Sequence, residues 1–107
     1  MTTDQIHALL HPDSIAVIGA SNNAEKIGYA VVHNLQESGY QGKIYPINPN
    51  SEEIQGLKTY PRVTEVPGAV DAAIIVVPAK YVLDVTKDCG EKGIKVLLVI
   101  ASGFSEV

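Results

Sequence analysis

Ser14-Ile15-Ala16-Val17-Ile18-Gly19-Ala20-Ser21 passes from an apolar, largely β-branched run straight into a turn of small residues. An uncharged run of this kind reads as a strand buried on both faces, and the small residues at its exit leave backbone N–H groups uncovered. Where a helix follows such a turn, those amides and the positive end of the helix dipole converge on one concavity, which suits a phosphate. A tight strand exit with no ligand is the plainer reading of the same residues. Junctions of this kind in α/β sheets are nonetheless the habitual place for phosphates.

Two more runs share the character of the first: Ala72 to Val77 and Val96 to Ala101. Lys43-Ile44-Tyr45-Pro46-Ile47 is a weaker fourth strand, whose proline sets the N side of Pro46 away from a partner strand. Leu57 to Tyr60 reads as a short edge strand. Between the first two strands, Ile27, Ala30, Val31, Leu35 and Ser38 recur at helical spacing and Gly39 stands where a left-handed cap ends a helix. Val82, Val85, Thr86 and Cys89 form a second helical stripe, closed by Gly90 and Gly93. A short amphipathic leader helix is expected over Thr3 to Leu10, packed on the sheet edge and stopped by Pro12. Strands alternating with helices at this spacing predict right-handed crossovers and a Rossmann-like, doubly wound, mainly parallel sheet in three α/β/α layers. Ligands of such sheets lie beyond the carboxyl ends of the strands.

With 107 residues the chain is expected to be one domain, burying roughly two-thirds of its unfolded surface. Hydrophobic residues make up 46% and charged ones 19%, and no apolar run reaches the ~20 residues needed to cross a bilayer, so no membrane partner is expected. The start Met1-Thr2-Thr3-Asp4-Gln5 lacks the pattern of a secretory signal, and the single Cys89 cannot form an internal disulfide, which fits a cytoplasmic location. A net charge of -4 without a Lys/Arg cluster argues against nucleic acid. A bound nucleotide must therefore be held largely by local amides.

The dinucleotide fingerprint requires glycines where Ser21 and Ala24 stand, and NAD requires an acid at the end of the second strand, where this chain has Ile47-Asn48-Pro49-Asn50. Both marks of NAD are absent. His7, His11 and His33 have no carboxylate at a spacing that suggests a base, so surface or core roles fit them better. Cys89 falls on the apolar stripe of its helix and reads as a small buried hydrophobe. Asp71 reads as a turn residue before a strand, and no cluster of metal ligands exists. Tyr81 follows the Val77-Pro78 turn; core packing or stacking on a base are both open to it.

Val17-Ile18-Gly19-Ala20-Ser21, Lys26-Ile27-Gly28, Asn34-Leu35, Gly39-Tyr40, Gly42 through Pro49, Val70-Asp71-Ala72-Ala73, Val77-Pro78-Ala79 and Ser102-Gly103-Phe104-Ser105-Glu106 occur in an order that spans nearly everything from Pro12 onward. In this the chain resembles the N-terminal CoA-binding domain of ADP-forming acyl-CoA (acetate-CoA) synthetases, relatives of the succinyl-CoA synthetase α subunit. The resemblance implies that coenzyme A, free or acylated, lies across the carboxyl edge of the sheet. Its phosphates would sit near Gly19, Ala20, Ser21 and Asn22, with the Ser21 hydroxyl donating and Lys26, Ile27 and Gly28 close by. Asn48, Pro49 and Asn50 would border the nucleotide part, Val77, Pro78 and Ala79 the adenine pocket, and Ala101, Ser102 and Gly103 the pantetheine arm. Pro78 has a second reason for its place, since proline at the first turn of a helix loses no hydrogen bond.

Many relatives place a lysine after the Asn-Pro pair where this chain has Asn50, a residue that hydrogen-bonds but carries no charge. They also continue through an acidic, glycine-rich segment where this sequence reaches Val107. The chain is therefore expected to be the N-terminal module of a longer ligase that interconverts acyl-CoA, ADP and phosphate with acid, CoA and ATP. The phosphohistidine relay and the ATP/ADP site would lie on other ligase domains or a partner subunit, so that this module binds without turnover. A stand-alone regulatory CoA-binding protein, a CoA-sensing module fused to a protein acetyltransferase, an NAD-binding redox domain and a purely structural domain are the competing expectations.

Overall fold

The computed structural model describes residues 11–100. The expected leader helix and the candidate residues Ala101, Ser102 and Gly103 lie outside the described residues. Strands β1 (Ser14–Ile18), β2 (Lys43–Ile47), β5 (Ala72–Ile75) and β6 (Val96–Val99) form one sheet in the order β2-β1-β5-β6. Every pairing in it is parallel. Helix α1 (Ile27–Glu37) connects β1 to β2, and α2 (Val82–Lys92) connects β5 to β6. Side chains alternate along each strand, so the two sheet faces build separate cores. Ile15 and Val17 pack with Val32 of α1 on one face, while Ala16, Ile18, Ala73 and Ile75 pack with Cys89 of α2 on the other. The expected three-layer Rossmann-like arrangement is the one observed.

Register places the site. Ile18 is level with Ile47 on one side and with Ile75 on the other, and Ile75 is level with Val99. All four strands therefore stop together along one carboxyl edge. Strands β5 and β6 end before their apolar runs do. Hydrogen bonding persists a little further, from the Val76 N–H to the Ile18 carbonyl (2.7 Å) and from the Ile100 N–H to the Ile75 carbonyl (2.8 Å).

The Pro46 expectation holds. Its ring nitrogen faces away from β1, on the side where the Tyr60 N–H donates to the Pro46 carbonyl (3.1 Å). The expected edge strand Leu57–Tyr60 is different in kind. Leu57–Lys58 (β4) pairs antiparallel with Glu53–Ile54 (β3), and Tyr60 alone bridges to Ile47. Gln55 (φ 51°) and Gly56 (φ 83°) both take positive φ between the two short strands, the backbone of a type I′ hairpin turn. That local turn closes a hairpin before the segment reaches the sheet.

The predicted stripes also need adjustment. On α1, Gly28 and Val32 are the buried positions, whereas Ile27 (49% exposed) and Ala30 face outward. Helix α1 ends as expected, with Gly39 at φ 81°. Gly90 lies inside α2, and Gly93 (φ 79°) alone ends it: the Gly93 N–H donates to the Gly90 carbonyl and the Ile94 N–H to the Cys89 carbonyl (both 3.1 Å). This is the paired closure of a Schellman motif, with Ile94 packed against the core that contains Cys89. Strand β6 departs from its expected double burial: Leu97, Leu98 and Val99 are exposed, since β6 is an edge of the sheet.

Cys89 is wholly buried, and burial, reinforced by the neighbouring Asp88 charge, pushes its thiol up to about 11. The thiolate is the reactive form, so the native thiol is inert at neutral pH. Because its folded pKa lies above the ordinary thiol value of 9.0, the contribution of this group to stability is complete below pH 9 and is lost as pH rises toward 11. A thiol reagent at pH 8 is expected to label Cys89 only in denaturant. Stoichiometric labelling of the native protein at the rate of a free thiol would contradict this burial.

Candidate functional site

The chain steps from β1 out to β2 and then returns to the far side of β1 for β5. The crevice opened where the strand order reverses is the general ligand position of such sheets. A cleft of about 860 Å³ lies there, walled by the exits of β1, β2 and β5 and by the starts of both helices. Its size is within the range of sites for cofactor-sized ligands.

Two glycines make the turn after β1 possible. Gly19 has φ 95°, and a Cβ on it would lie 1.8 Å from the Val76 carbonyl oxygen. Gly28, in the first turn of α1, sits against the turn so closely that a Cβ would lie 2.0 Å from the Gly19 carbonyl oxygen. Close helix-to-strand packing is the task of the last glycine in the dinucleotide fingerprint. Here Gly28 performs it later in the chain, because the segment Asn22 to Lys26 intervenes before the helix. Within that segment the Ser21 hydroxyl oxygen accepts the Asn23 N–H (2.9 Å), and the Asn23 side chain accepts the Glu25 N–H (2.9 Å).

The turn is braced from behind by the β3–β4 hairpin. The Asn22 amide donates to the Glu53 carbonyl (2.8 Å) and accepts the Gln55 N–H (2.9 Å). The Gln55 amide in turn donates to the Tyr29 carbonyl (3.1 Å) and, at the long distance of 3.4 Å, to the Ser21 carbonyl. At the end of β2, Asn48 donates to the Ala20 carbonyl (2.8 Å) and accepts the Asn50 N–H (2.8 Å). The position where an NAD site needs an acid is thus filled by a neutral side chain tied to the β1 turn.

Of the residues singled out in the sequence, Gly19, Ala20, Ser21, Lys26, Ile27, Gly28, Asn48, Pro49, Asn50, Val77 and Pro78 are brought together on the cleft wall. Asn22 and Ala79 are not on that wall. The Asn22 side chain is engaged by the hairpin, and Ala79 begins the single 3-10 turn Ala79–Tyr81 that leads into α2. Glu25, Asp84 and Val85 line the cleft without having been named as site residues, Val85 having been read only as part of the apolar stripe of its helix. The last two were legible in principle, because they fall three and four residues after Tyr81 on one helix face. Tyr81 itself is 48% exposed and lines the cleft, so the core-packing alternative for it is set aside. Lys26 is the cleft's one cation among the described residues. No group of His, Cys, Asp and Glu suited to a metal occurs among them.

The protein family described as "CoA binding domain" matches residues 13–106. This chain belongs to the CoA-binding domain family. As such a domain it is 49% identical over 105 residues to "Acetate--CoA ligase [ADP-forming] II" of Archaeoglobus fulgidus, covering 98% of this chain and 16% of that one. It is 52% identical over 106 residues to "Acetate--CoA ligase [ADP-forming] I subunit alpha" of Pyrococcus furiosus, covering 95% and 23%. Among solved structures it matches the dinucleotide-forming acetyl-coenzyme A synthetase 1 of Ca. Korarchaeum cryptofilum in complex with phosphate and ADP, with a TM-score of 0.90, 48% identity, and coverage of 95% of this chain and 22% of that one. A conserved hypothetical protein from Pyrococcus furiosus, 41% identical with a TM-score of 0.74, is matched over 73% of its own length and 81% of this chain. The CoA-binding domain described here thus spans less than a quarter of the ligase chains it resembles. Among the described residues no helix is long and apolar enough to cross a membrane.

Proposed function

We propose that this domain holds coenzyme A or an acyl-CoA across the carboxyl edge of its sheet, with the ligand's phosphates at the Gly19-Ala20-Ser21 turn. The observation that carries this reading is the turn itself. Gly19 and Gly28 bring strand, turn and helix start into contact without side chains between them, which leaves main-chain amides to meet an anion. The Ser21 hydroxyl oxygen is already used as an acceptor, and its proton remains to donate to a phosphate. Lys26, at the N-cap of α1, adds the cationic partner that Asn50 does not supply. Asn48, Pro49 and Asn50 border the nucleotide part, and Val77 and Pro78 the base.

In the larger frame, we propose that the domain serves an ADP-forming acyl-CoA ligase. There acyl phosphate and CoA give acyl-CoA, and phosphate passes through a histidine to ADP on other ligase domains or a partner subunit. The similarity to ADP-forming acetate–CoA ligases supports this reading. None of the described histidines stands on the cleft wall, so the part assigned to this domain is binding and orientation of the thiol carrier rather than phosphoryl transfer. A second reading, a stand-alone CoA-binding protein, is favoured by the similarity to a solved protein most of whose length this chain covers. Reading the gene onward past the codon for Val107 separates the two.

Calorimetric titration with CoA, ADP and NAD tests the binding itself. CoA is expected to bind in preference to the other two. A preference for NAD, or heat from none of the three, removes the proposal.

A further inference from the structure

We infer that Gln55 is a positioning residue for the turn after β1: its side-chain amide ties that turn to the first turn of α1 and so fixes the concavity proposed above for the phosphates. The inference rests on the CoA reading and adds to it a residue that stands off the cleft wall.

Among the described residues Gln55 is the one non-glycine with a positive φ (51°). It takes the first central position of the two-residue hairpin turn, a place that type I′ geometry gives to Asn, Asp or Gly. A side chain in the left-handed region is disfavoured, and it persists only where its surroundings hold it there. Here the main-chain groups of Gln55 and its amide nitrogen are all engaged. Its N–H donates to the Asn22 side-chain oxygen (2.9 Å), and its carbonyl accepts from the Gln36 side-chain amide (3.2 Å). Its own amide nitrogen donates to the Tyr29 carbonyl (3.1 Å) and, more weakly, to the Ser21 carbonyl (3.4 Å).

These partners belong to the two elements whose approach makes the turn. Ser21 and Asn22 follow the exit of β1, Tyr29 and Gln36 lie on α1, and the half-buried Gln55 reaches both. Gly19 and Gly28 leave no side chain to space strand exit from helix start, since a Cβ on Gly28 would lie 2.0 Å from the Gly19 carbonyl oxygen. A glycine backbone is the least restrained of any, so that approach must be held by neighbouring contacts. Gln55 supplies them from 26 and 34 residues away. Glycine or asparagine would close the hairpin with less strain, but glycine has no amide to reach α1 and the asparagine side chain is one methylene shorter. The strain at Gln55 is thus tied to the geometry of the turn.

The test measures CoA affinity by calorimetry and stability by urea denaturation on the wild type, Gln55→Gly and Gln55→Glu. Gln55→Gly relieves the left-handed backbone and removes the tie, so its urea midpoint is expected to stay near the wild-type value while CoA binds about 10-fold more weakly. Gln55→Glu keeps the size and the strain, but its carboxylate only accepts hydrogen bonds and faces two carbonyls. It is expected to lose both stability and affinity. If Gln55 serves folding alone, affinity follows stability and Gln55→Gly binds CoA like the wild type; that result overturns this assignment and leaves the proposed function standing. Without ligand, amide hydrogen exchange from Ala20 to Tyr29 is expected to quicken in Gln55→Gly and to stay unchanged in β1 and β5. Equal protection of that segment in the two proteins also overturns the assignment. If the wild type binds no CoA, the proposed function falls and the assignment falls with it.

Discussion

Gly19→Ala is expected to lower folding stability by about 2–5 kcal/mol and to abolish CoA binding. Two terms add. At φ 95° a residue with a Cβ pays the left-handed penalty of roughly 1–2 kcal/mol, and its Cβ would lie 1.8 Å from the Val76 carbonyl oxygen and 2.7 Å from the Val76 carbonyl carbon. Overpacking against atoms that can yield costs ~1–3 kcal/mol, and these atoms yield poorly. Val76 is held by its N–H on the Ile18 carbonyl (2.7 Å), and Gly19 by its own N–H on the Ile47 carbonyl (3.0 Å). Either the sheet edge spreads or the turn leaves its position, and both destroy the concavity. A domain of this size has only ~5–15 kcal/mol in total, so urea denaturation reads the change directly. Gly39→Ala is the control, because φ is 81° there but nothing lies within 4 Å of a built Cβ. It should show the conformational term alone. Equal losses at the two positions would mean that the contact with Val76 does not constrain the turn.

Ser21→Glu is expected to separate binding from folding. Ser21 is half-buried at the cleft and gives one hydroxyl acceptor to the Asn23 N–H, so the substitution is expected to cost about 1 kcal/mol of stability or less. Its effect on the ligand is far larger. A carboxylate about 4 Å from a phosphate repels it by roughly 4 kcal/mol at the effective dielectric of a protein surface, which corresponds to about 1000-fold in affinity. Calorimetry with CoA on the folded variant checks this. Affinity within a few-fold of wild type would place the phosphates away from the β1 turn.

Local chemistry wrote much of this fold plainly into the sequence. The uncharged runs around Val17 and Ile74 became neighbouring central strands, because a strand covered by helices on both faces has no polar side to show. Gly39 and Gly93 ended their helices because the left-handed cap favours a residue without a Cβ. The same rules failed where a residue's partner is distant. Ile27 matched the helical stripe yet faces the cleft, since Gly28 is the residue that must press on the turn. Asn22 read as part of the site on local grounds alone, and nothing local shows that its side-chain amide is given to the hairpin 31 and 33 residues away. Leu57 read as an edge strand because nothing local reveals that Gln55, a residue with a Cβ, takes φ 51° and folds the segment on itself.

Taken by itself, the sequence determined the α/β class, the strand whose exit forms the turn of small residues, and the lack of an acid after the second strand, because each depends on residues adjacent in the chain. Only the tertiary structure decided which of those residues share the cleft, that the hairpin braces the turn, and that Tyr81 and Asp84 stand on the wall. Those outcomes depend on the register that ends β1, β2, β5 and β6 at one level and on the approach of Gly28 to Gly19, and such contacts join segments through space.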